Sequence, residues 1–363
     1  MSEVPLRLLV VMPSWVGDAV MATPTLRALR TRFKGTFIGG LVRPGIDQLL
    51  AGTDFFDELH VERASGVMGP KFVAAKVRPR RYDAAILFTN SFSTALVVRL
   101  AGIPRRIGYD RDARGLLLTD RMPAPRRPDG AWAVIPAVDY YWALAQKFLL
   151  HQANARPGAM ELATTPDEEH AADTLLASAG VAPGAPLALL NPGGNNPAKR
   201  WPADRYAALA GLLQEKWGMR SLINGSPAEA GLVSEIAAAC PGAAELPKLG
   251  INLGTLKALT RRSRLMVTND TGPRHIAAAF GVPLVSLFGP TDHRWTVIPT
   301  HAGAAEVVIT ADPTLPESEA AEDHPERCRI DRITLERVVA GVERAMGREL
   351  DHPQPTPTMP PAG

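Results

Sequence analysis

The segment TNDTGPRH, Thr268–His275, directly follows a short apolar run and combines a glycine with several polar side chains. Asp270 and Thr271 are residue types that begin helices well, and Gly272 lets a backbone approach a ligand closely. A helix start presents free N–H groups and a partial positive charge, which together bind anionic groups such as phosphates. The pattern indicates a diphosphate site, although a well-capped helix in a parallel sheet has the same sequence.

A second segment of this kind, NPGGNNPAKRWP at Asn191–Pro202, also follows a predicted strand and precedes a predicted helix. Gly193 and Gly194 free its backbone, and Lys199 and Arg200 bring positive charge to the edge where open α/β sheets bind ligands. The Gly-Lys-Ser/Thr ending of a P-loop is absent. A polar loop with two solvated cations is the alternative, but two glycine-containing turns together favour a nucleotide diphosphate.

Two further turns after predicted strands carry weaker signals. Glu229, in GSPAE, follows Ser221–Asn224 and could bind both hydroxyls of a ribose or be an exposed acid in the first turn of a helix. Thr291 ends the turn FGPT, where a structural Gly-Pro pair and a substrate contact are both compatible with the sequence. Neither residue identifies a ligand on its own.

An isolated acid, Asp18, lies in PSWVGD, which follows the first apolar run and opens a predicted helix. The Gly-x-Gly-x-x-Gly fingerprint is missing there, which counts against an NAD(P)-dependent oxidoreductase. As a helix cap Asp18 needs no further role. In a cleft that faces a sugar nucleotide, it could instead act as the general base that removes a proton from an acceptor hydroxyl.

Other catalytic chemistries find little support in the sequence. The eight histidines are scattered without a His-x-x-x-His pair, so no metal site is expected. Asp110 and Asp112 form the one Asp-x-Asp pair, but Arg111 and Arg114 crowd it and favour local ion pairing. A Gly-x-Ser-x-Gly nucleophile motif is absent, and two cysteines exclude a disulfide scaffold.

Short apolar strands alternate with helices, restart after residue 185, and predict two parallel α/β halves with Rossmann-like organisation. A chain of 363 residues suits about two domains at a typical ~150 residues each. We expect an amino-terminal domain over 1–165, a linker over 166–184, and a second domain over 185–333. A helix over 334–348 follows, with a crossing back to the first domain as one option, and the proline-rich tail 349–363 is expected to be disordered.

The net charge of +3 conceals an uneven distribution, because residues 61–127 hold fourteen basic and five acidic side chains, a local balance of +9. This arginine-rich half suits phosphate or carboxylate recognition, or else a solvated surface. Few aromatic residues are interleaved, so nucleic acid is not an expected partner. Neither a secretory signal nor an apolar run of membrane-spanning length is present. We expect a cytoplasmic protein, and peripheral attachment to a membrane is compatible with this.

Taken together, PSWVGD, PGGNNPAKRWP and TNDTGPRHIAAAFGVPLVSLFGPT resemble the bacterial ADP-heptose:lipopolysaccharide heptosyltransferases of glycosyltransferase family 9. The second heptosyltransferases fit best, since RIGYDRDARGLLLTD also resembles their pattern. The resemblance implies the GT-B fold, with two Rossmann-like α/β/α domains facing a central cleft. It also implies inverting transfer of heptose from ADP-L-glycero-β-D-manno-heptose to the inner-core heptose of lipopolysaccharide, without a metal or other cofactor.

By the same resemblance, Asp18 would be the catalytic base and Lys199 would neutralise the leaving diphosphate. The implied acceptor contacts combine polar residues of the first half with its arginines. Donor binding is implied for Gly193, Gly194, Lys199, Glu229, Leu253, Gly254, Thr255, Asp270, Thr271, Gly272, His275 and Thr291. Acceptor binding is implied for Ser14, Trp15, Asn90, Arg78, Arg80, Arg81, Arg106, Arg111 and Arg114.

The implied partners are ADP-heptose, a lipid A-core lipopolysaccharide acceptor and the inner face of the cytoplasmic membrane. Two alternatives stay open. Another family 9 transferase could use a different ADP-sugar or acceptor, and a non-catalytic nucleotide-binding module could keep the fold. Gly194 stands where the first heptosyltransferases carry a phosphate-binding hydroxyl, which favours the second enzymes or a relative. Asp18 and Lys199 argue against a mere binding module.

Overall fold

The fold is organised by parallel pairing of short apolar strands. The computed structural model describes residues 5–63, 65–126, 130, 132–133, 135–151, 156–299 and 306–350. Within these residues the strands form two parallel sheets of 6 strands each. The predicted α/β class with two halves is therefore confirmed. The predicted disordered tail, 349–363, lies outside the described residues except for the end of the last helix.

Each sheet is the centre of one compact unit. The first unit comprises residues 1–174, 252–258 and 293–299, and the second comprises 175–251, 259–292 and 300–363. The division falls within a helix, Pro166–Ser178, that occupies most of the predicted linker. Two short later segments thus belong to the first unit, which the sequence did not indicate.

The first unit contains six strands and the helices between them. Its strands are β1 (Arg7–Val11), β2 (Phe37–Val42), β3 (Glu58–Val61), β4 (Ala84–Leu87), β5 (Arg105–Asp110) and β6 (Asp120–Pro123). Its helices are α1 (Val16–Met21), α2 (Thr23–Arg32), α3 (Ile46–Leu50), α4 (Gly69–Val77), α5 (Phe92–Leu100) and α6 (Ala137–Ala145), followed by α7 (Pro166–Ser178), which continues into the second unit.

The second unit repeats this alternation. Its strands are β7 (Leu187–Asn191), β8 (Arg220–Ile223), β9 (Ala244–Glu245), β10 (Leu265–Asn269), β11 (Leu284–Phe288) and β12 (Glu306–Thr310). Its helices are α8 (Ala203–Trp217), α9 (Ala230–Ala239), the later part of α10 (Leu253–Arg262), α11 (Gly272–Ala279) and α12 (Leu335–Leu350).

The two sheets share one strand order. The first runs β3-β2-β1-β4-β5-β6, and the second runs β9-β8-β7-β10-β11-β12 when it is read in the same direction. In each sheet the order reverses between its first and fourth strands, β1 and β4 or β7 and β10. Such a reversal leaves a crevice at the carboxyl ends of those two strands, where doubly wound sheets bind ligands.

Several local predictions needed correction. The helix that was predicted to begin at PSWVGD is two helices, α1 and α2, because Pro24 lies at the start of the second and lacks the N–H that a helix interior requires. The strand β5 could not be recognised from the sequence, because RRIGYD contains too many charged residues for an apolar strand pattern to be visible. The helix α12 packs its buried Val338, Val342 and Ala345 into the core of the second unit.

The first turns of α10 are anchored within the first unit by a buried lysine. The side chain of Lys257 is inaccessible to solvent, and its Nζ donates to the carbonyls of Ala51 and Ala163, both at 2.9 Å. The same ammonium lies 3.1 Å from the carboxylate of Glu168. Burial lowers the pKa of Lys257, and the contact with Glu168 opposes this shift. A buried ammonium with three oxygen partners satisfies its donors.

Trp201 connects the loop after β7 to the start of the carboxyl-terminal helix. It is 1% exposed, packs edge-on against Tyr206, and its indole Nε1 donates to the carbonyl of Ile333 at 2.8 Å. Arg205 donates to the same carbonyl at 2.6 Å. The tryptophan of the AKRWP motif therefore has a structural role in this unit: it holds the glycine-containing loop in place.

We expect Trp201→Ala to destabilise the second unit by about 3–5 kcal/mol, since it removes a fully buried aromatic side chain. Trp201→Phe should lose about 1–3 kcal/mol, because the packing is mostly kept and one donor to a buried carbonyl is lost. Denaturant unfolding measures both values. Trp217→Ala, at a partly exposed position of α8, is the matched control, and an equal loss there would contradict this role for Trp201.

Candidate active site

The first unit has a cavity of about 300 Å³ at the crevice between β1 and β4. Its walls come from the turn into α1, the carboxyl ends of β2 and β4, and the first turn of α5. The lining includes Met12, Pro13, Ser14, Trp15, Asp18, Leu41, Val42, Arg43, Glu62, Val73, Phe88, Thr89, Asn90, Ser91, Ser93, Thr94, Val97 and Tyr141.

Two acids, Glu62 and Asp18, line this cavity, and Asp18 lies in the first turn of α1. Desolvation by burial raises the pKa of its carboxyl group to about 6, because a charged carboxylate is poorly stabilised away from water. The phenol of Tyr141, which also lines the cavity, is fully buried, and its pKa is raised by burial and by the charge of Asp18. A carboxylate with a pKa near neutrality is suited to accept a proton.

Asn90 lies on the opposite wall, and its amide has a fixed orientation. The oxygen Oδ1 of Asn90 accepts hydrogen bonds from Arg114 Nη2 at 3.3 Å and from the hydroxyl of Tyr140 at 3.2 Å. A guanidinium can only donate, so the oxygen of the amide must face Arg114. The Nδ2 group of Asn90, a residue that lines the cavity, then remains as the donor of this amide.

Arg114 acts from beneath the wall and does not line the cavity. It is completely buried, and it also donates to the carbonyls of Tyr109, at 2.9 Å, and Thr89. Burial lowers the pKa of Arg114 to about 10, so the guanidinium is charged at neutral pH. The sequence implied direct acceptor contact for Arg114. The structure instead makes it a positioning residue for Asn90.

Four other predicted acceptor residues are far from this wall, because they lie at the amino edge of the sheet. Arg78, Arg80 and Arg81 come just before β4, and Arg106 lies near the start of β5, whereas the cavity forms at the carboxyl ends. Arg78 donates to the carbonyl of Leu100 at 2.7 Å. The structure therefore does not bring these four arginines to the cavity that contains Ser14, Trp15, Asp18 and Asn90.

The remaining predicted arginine, Arg111, follows β5 on the carboxyl side and is held by local contacts. Its guanidinium lies over the ring of Trp132, 4.2 Å from the centroid, and 3.4 Å from the carboxylate of Asp112. A hydrogen bond from Arg111 also counteracts the burial that raises the pKa of Tyr140. Arg111 thus supports the wall from behind, through Tyr140.

In the second unit a buried amide network joins the two glycine-containing turns at the crevice between β7 and β10. Asn269 donates through Nδ2 to the carbonyls of Pro192 at 2.7 Å and Gly193 at 3.0 Å. Its Oδ1 accepts from the backbone of Trp201 at 3.3 Å and from the hydroxyl of Tyr206 at 3.1 Å. Every polar atom of this side chain is used, so the two turns have one relative arrangement.

Asn191 extends the network toward the start of α11. Its Nδ2 donates to the hydroxyls of Thr271 at 2.8 Å and Thr268 at 3.2 Å, and its Oδ1 accepts from Asn224 at 2.6 Å. The sequence assigned no role to Asn191 or Asn269. The signal was available, since both asparagines end a buried strand immediately before a glycine-containing turn.

Lys199 and Asp270, predicted from separate motifs, meet as an ion pair in which Nζ lies 3.0 Å from Oδ2. Both are largely shielded, with 25% and 10% of their side chains exposed. Thr271 is the residue before α11, and Gly272 begins that helix. The ammonium and the amino end of α11 thus lie at one crevice, and a diphosphate there would meet positive charge from both.

Glu229 holds the glycine turn from the β8 side. One of its oxygens accepts from the backbone N–H of Gly194 at 2.6 Å, and the other accepts from the backbone and hydroxyl of Ser226, both at 2.8 Å. Burial favours the neutral acid, but these hydrogen bonds outweigh it, so the pKa of Glu229 is lowered. A Cβ at Gly193 would lie 2.4 Å from this carboxylate, which explains the glycine there.

His275 is buried in the first turns of α11, and its Nδ1 has no hydrogen-bond partner among the described residues. Burial, and then the neighbouring Arg274, lower its pKa well below the usual range, so the imidazole is neutral. It can offer a phosphate a hydrogen bond but no charge. Arg274, which the sequence left without a role, is 1% exposed and pairs with Glu306 at 2.7 Å, linking α11 to β12.

The remaining predicted donor residues are Thr291 and the three residues that begin α10. Thr291 follows β11 in the second unit, on the carboxyl side of the sheet. Leu253, Gly254 and Thr255 begin α10 and belong to the first unit, where the backbone N–H of Thr255 donates to Asn252. Their contact with the donor stays a prediction. No three His, Cys, Asp or Glu side chains among the described residues are placed to hold a metal ion.

Two parallel sheets of identical strand order, each with a crevice at the carboxyl ends of its first and fourth strands, have the organisation of the GT-B fold. The chain matches glycosyltransferase family 9 (heptosyltransferase) over residues 73–324, and it belongs to this family.

Solved structures and curated relatives agree with this family. Lipopolysaccharide heptosyltransferase 2 of Escherichia coli K12 is 29% identical over 336 residues, covering 88% of this chain and 93% of the relative. The structure of E. coli ADP-heptose lipopolysaccharide heptosyltransferase II is 28% identical with a TM-score of 0.78, covering 95% and 99% of the two chains. A family 9 structure from Veillonella parvula DSM 2008 has a TM-score of 0.81 at 22% identity, covering 95% and 98%.

We expect Asp18→Asn to stabilise the first unit near pH 8. The folded carboxyl group has a pKa of about 6 against ~3.9 when unfolded, so the folded state binds more protons between these values. Its ionisation therefore opposes folding fully above pH ~6, and this cost disappears as the pH falls below ~4. The asparagine carries no such cost.

Urea unfolding of wild type and variant near pH 8 and near pH 4 measures the difference. The gain should be present at the higher pH and absent at the lower. Asp139→Asn, at an exposed position of α6, is the control and should show no gain at pH 8. A pH-independent effect of Asp18→Asn would contradict the raised pKa.

Proposed function

We propose that this protein transfers heptose from ADP-L-glycero-β-D-manno-heptose to the inner-core heptose of lipopolysaccharide, with inversion and without a metal. The observation that carries the proposal is Asp18, a partly buried acid of the β1–β4 cavity whose pKa is raised to about 6. A pure nucleotide-binding module has no need of a proton acceptor in a separate cavity. The related heptosyltransferases of E. coli support the choice of donor sugar and acceptor.

The acceptor binds in the cavity of the first unit. The Nδ2 group of Asn90 donates to an acceptor oxygen, and Trp15, whose side chain is 67% exposed, offers an apolar face of the kind that stacks on a sugar ring. The Asp18 carboxylate accepts the proton of the attacking hydroxyl. That oxygen forms a bond to the anomeric carbon as the bond to the diphosphate oxygen breaks, so one displacement inverts the configuration.

The donor diphosphate binds in the second unit, at the crevice between β7 and β10. The Lys199 ammonium and the N–H groups at the start of α11 stabilise the negative charge that develops on the leaving ADP. The backbone of Gly193 and Gly194 lets the phosphates approach closely, and the carboxylate of Glu229 can accept the hydroxyls of the ribose. These groups provide the positive charge that other glycosyltransferases take from a divalent cation.

A family 9 transferase with another acceptor is the second candidate function. The observation in its favour is the placement of Arg78, Arg80, Arg81 and Arg106 at the edge away from the cavity, which leaves few arginines for a phosphorylated core. Release of ADP from ADP-heptose with a heptose-terminated lipid A core supports the first function. Release only with a different glycan supports the second, and tight ADP binding without any release supports the binding module.

We expect Asp18→Asn to lower kcat by about 10²–10⁴-fold, the usual contribution of a general base. The wild-type rate should rise as the pH passes through about 6, the pKa of Asp18. Turnover is measured as ADP release, and ADP binding by the variant should be unchanged. Near-wild-type turnover in the folded variant would remove Asp18 from the mechanism, and loss of turnover in EDTA that Mg²⁺ restores would contradict metal independence.

The orientation of Asn90 gives a separate expectation for acceptor recognition. Asn90→Ala should raise the KM for the acceptor by about tenfold or more, the cost of one lost hydrogen bond, and leave the KM for ADP-heptose unchanged. Asn90→Asp should not rescue it, because a carboxylate keeps the bond to Arg114 but cannot donate into the cavity. Steady-state kinetics with each substrate varied in turn provide the measurement, and full activity of Asn90→Asp would show that the amide does not donate.

A further inference from the structure

The chain between β3 and α5 exposes large apolar side chains that nothing in the first unit covers. Val67 is 96% exposed, Phe72 is 64% exposed and Met68 is 48% exposed. They lie in the turn before α4 and on its first two turns. Phe92, which begins the neighbouring helix α5, is also exposed. Among the large apolar side chains described as exposed, only Val308 belongs to the second unit.

This apolar segment adjoins the mouth of the cavity. Glu62 precedes it and Val73 follows it, and both residues line the cavity. The segment leaves β3 at its carboxyl end, so it lies at the same edge of the sheet as Asp18 and Asn90. A surface that docks here would bring any acceptor anchored in it to the cavity.

All charged side chains in and just after this apolar stretch are basic. Residues 63–81 contain six basic side chains and no acidic one. Lys71 is exposed directly beside Phe72, and Arg63 is exposed before Val67. Lys76 and Arg80 are paired with Glu62 and Glu58 and so contribute less. Exposed apolar side chains flanked by unopposed cations match a surface of anionic lipid, where the chains enter the interface and the cations meet headgroup phosphates.

We propose that the segment 63–72, hereafter the docking segment, binds the first unit to an anionic phospholipid membrane beside the acceptor cavity. The inference rests on the proposed function, since only a lipid-anchored acceptor gives the position of this segment a purpose. No helix among the described residues is long and apolar enough to cross a membrane.

Cosedimentation of the full chain with vesicles tests the docking segment directly. Vesicles of phosphatidylcholine with phosphatidylglycerol should bind the wild type, and vesicles of phosphatidylcholine alone should bind it about tenfold more weakly. Val67→Ser with Phe72→Ser, and separately Lys71→Glu, should weaken binding to the anionic vesicles by about tenfold or more. All three residues are exposed, so these variants should fold normally.

Matched controls come from the opposite edge of the sheet. Leu6→Ser, before β1, removes an equally exposed apolar side chain, and Lys34→Glu, before β2, reverses an exposed charge. Both should bind vesicles as the wild type does. Equal losses in the controls, or undiminished binding by the docking-segment variants, would overturn the proposal. So would a dimer in ultracentrifugation that the variants abolish without any wild-type binding to vesicles.

A second readout separates this proposal from the proposed function. On a water-soluble core oligosaccharide the docking-segment variants should release ADP at the wild-type rate, and on acceptor embedded in anionic vesicles they should be about tenfold slower. A wild type that binds vesicles but transfers to neither acceptor refutes the heptosyltransferase function alone. A wild type that is active on both acceptors, with variants equally active on both, refutes the docking segment alone.

Discussion

Parallel strand pairing with one reversal of strand order is the constraint on which both sites depend. Every strand of a parallel sheet ends at the same edge, and the reversal prevents helices from closing the crevice between the first and fourth strands. The turn that carries Asp18 and the turn that carries Asn90 occupy this position in one sheet. Asn191 and Asn269 occupy it in the other. One topology, used twice, therefore provides an acidic cavity and an anion-binding crevice.

The polar groups at these crevices are fixed by other buried polar groups. Arg114 orients the amide of Asn90, and the amide of Asn269 clamps the loop that precedes Trp201. A buried amide or guanidinium is stable only when its donors are satisfied, so each network has essentially one low-energy arrangement. The geometry of both crevices is thus set before any ligand binds, and Asp18 is the exception that carries an unfavourable burial of charge.

The sequence was sufficient for the fold class, because apolar strands and glycine-containing turns are local signals. Lys199 and Asp270 were predicted from separate motifs and do meet. Arg78, Arg80 and Arg81, which were predicted to bind the acceptor, lie at the edge of the sheet away from the cavity, because charge density says nothing about which edge a residue occupies. Chain order indicates this edge, since a segment just before a strand lies at the amino end of that strand. The pairing of Arg274 with Glu306 joins positions 32 residues apart and needed the tertiary structure.

The discontinuity of the first unit has a consequence for its synthesis on the ribosome. Lys257 is the partner of Glu168 and of the carbonyls of Ala51 and Ala163, so these groups gain it only after residue 257 has been synthesised. Segment 293–299 of the same unit is synthesised still later. A nascent chain of 174 residues therefore has the whole first sheet but leaves a buried carboxylate without its cation. Chains fold from the amino terminus as they emerge, so the first unit stays unfinished while much of the second is being made. A gene fragment that stops at the apparent domain boundary would inherit the same defect.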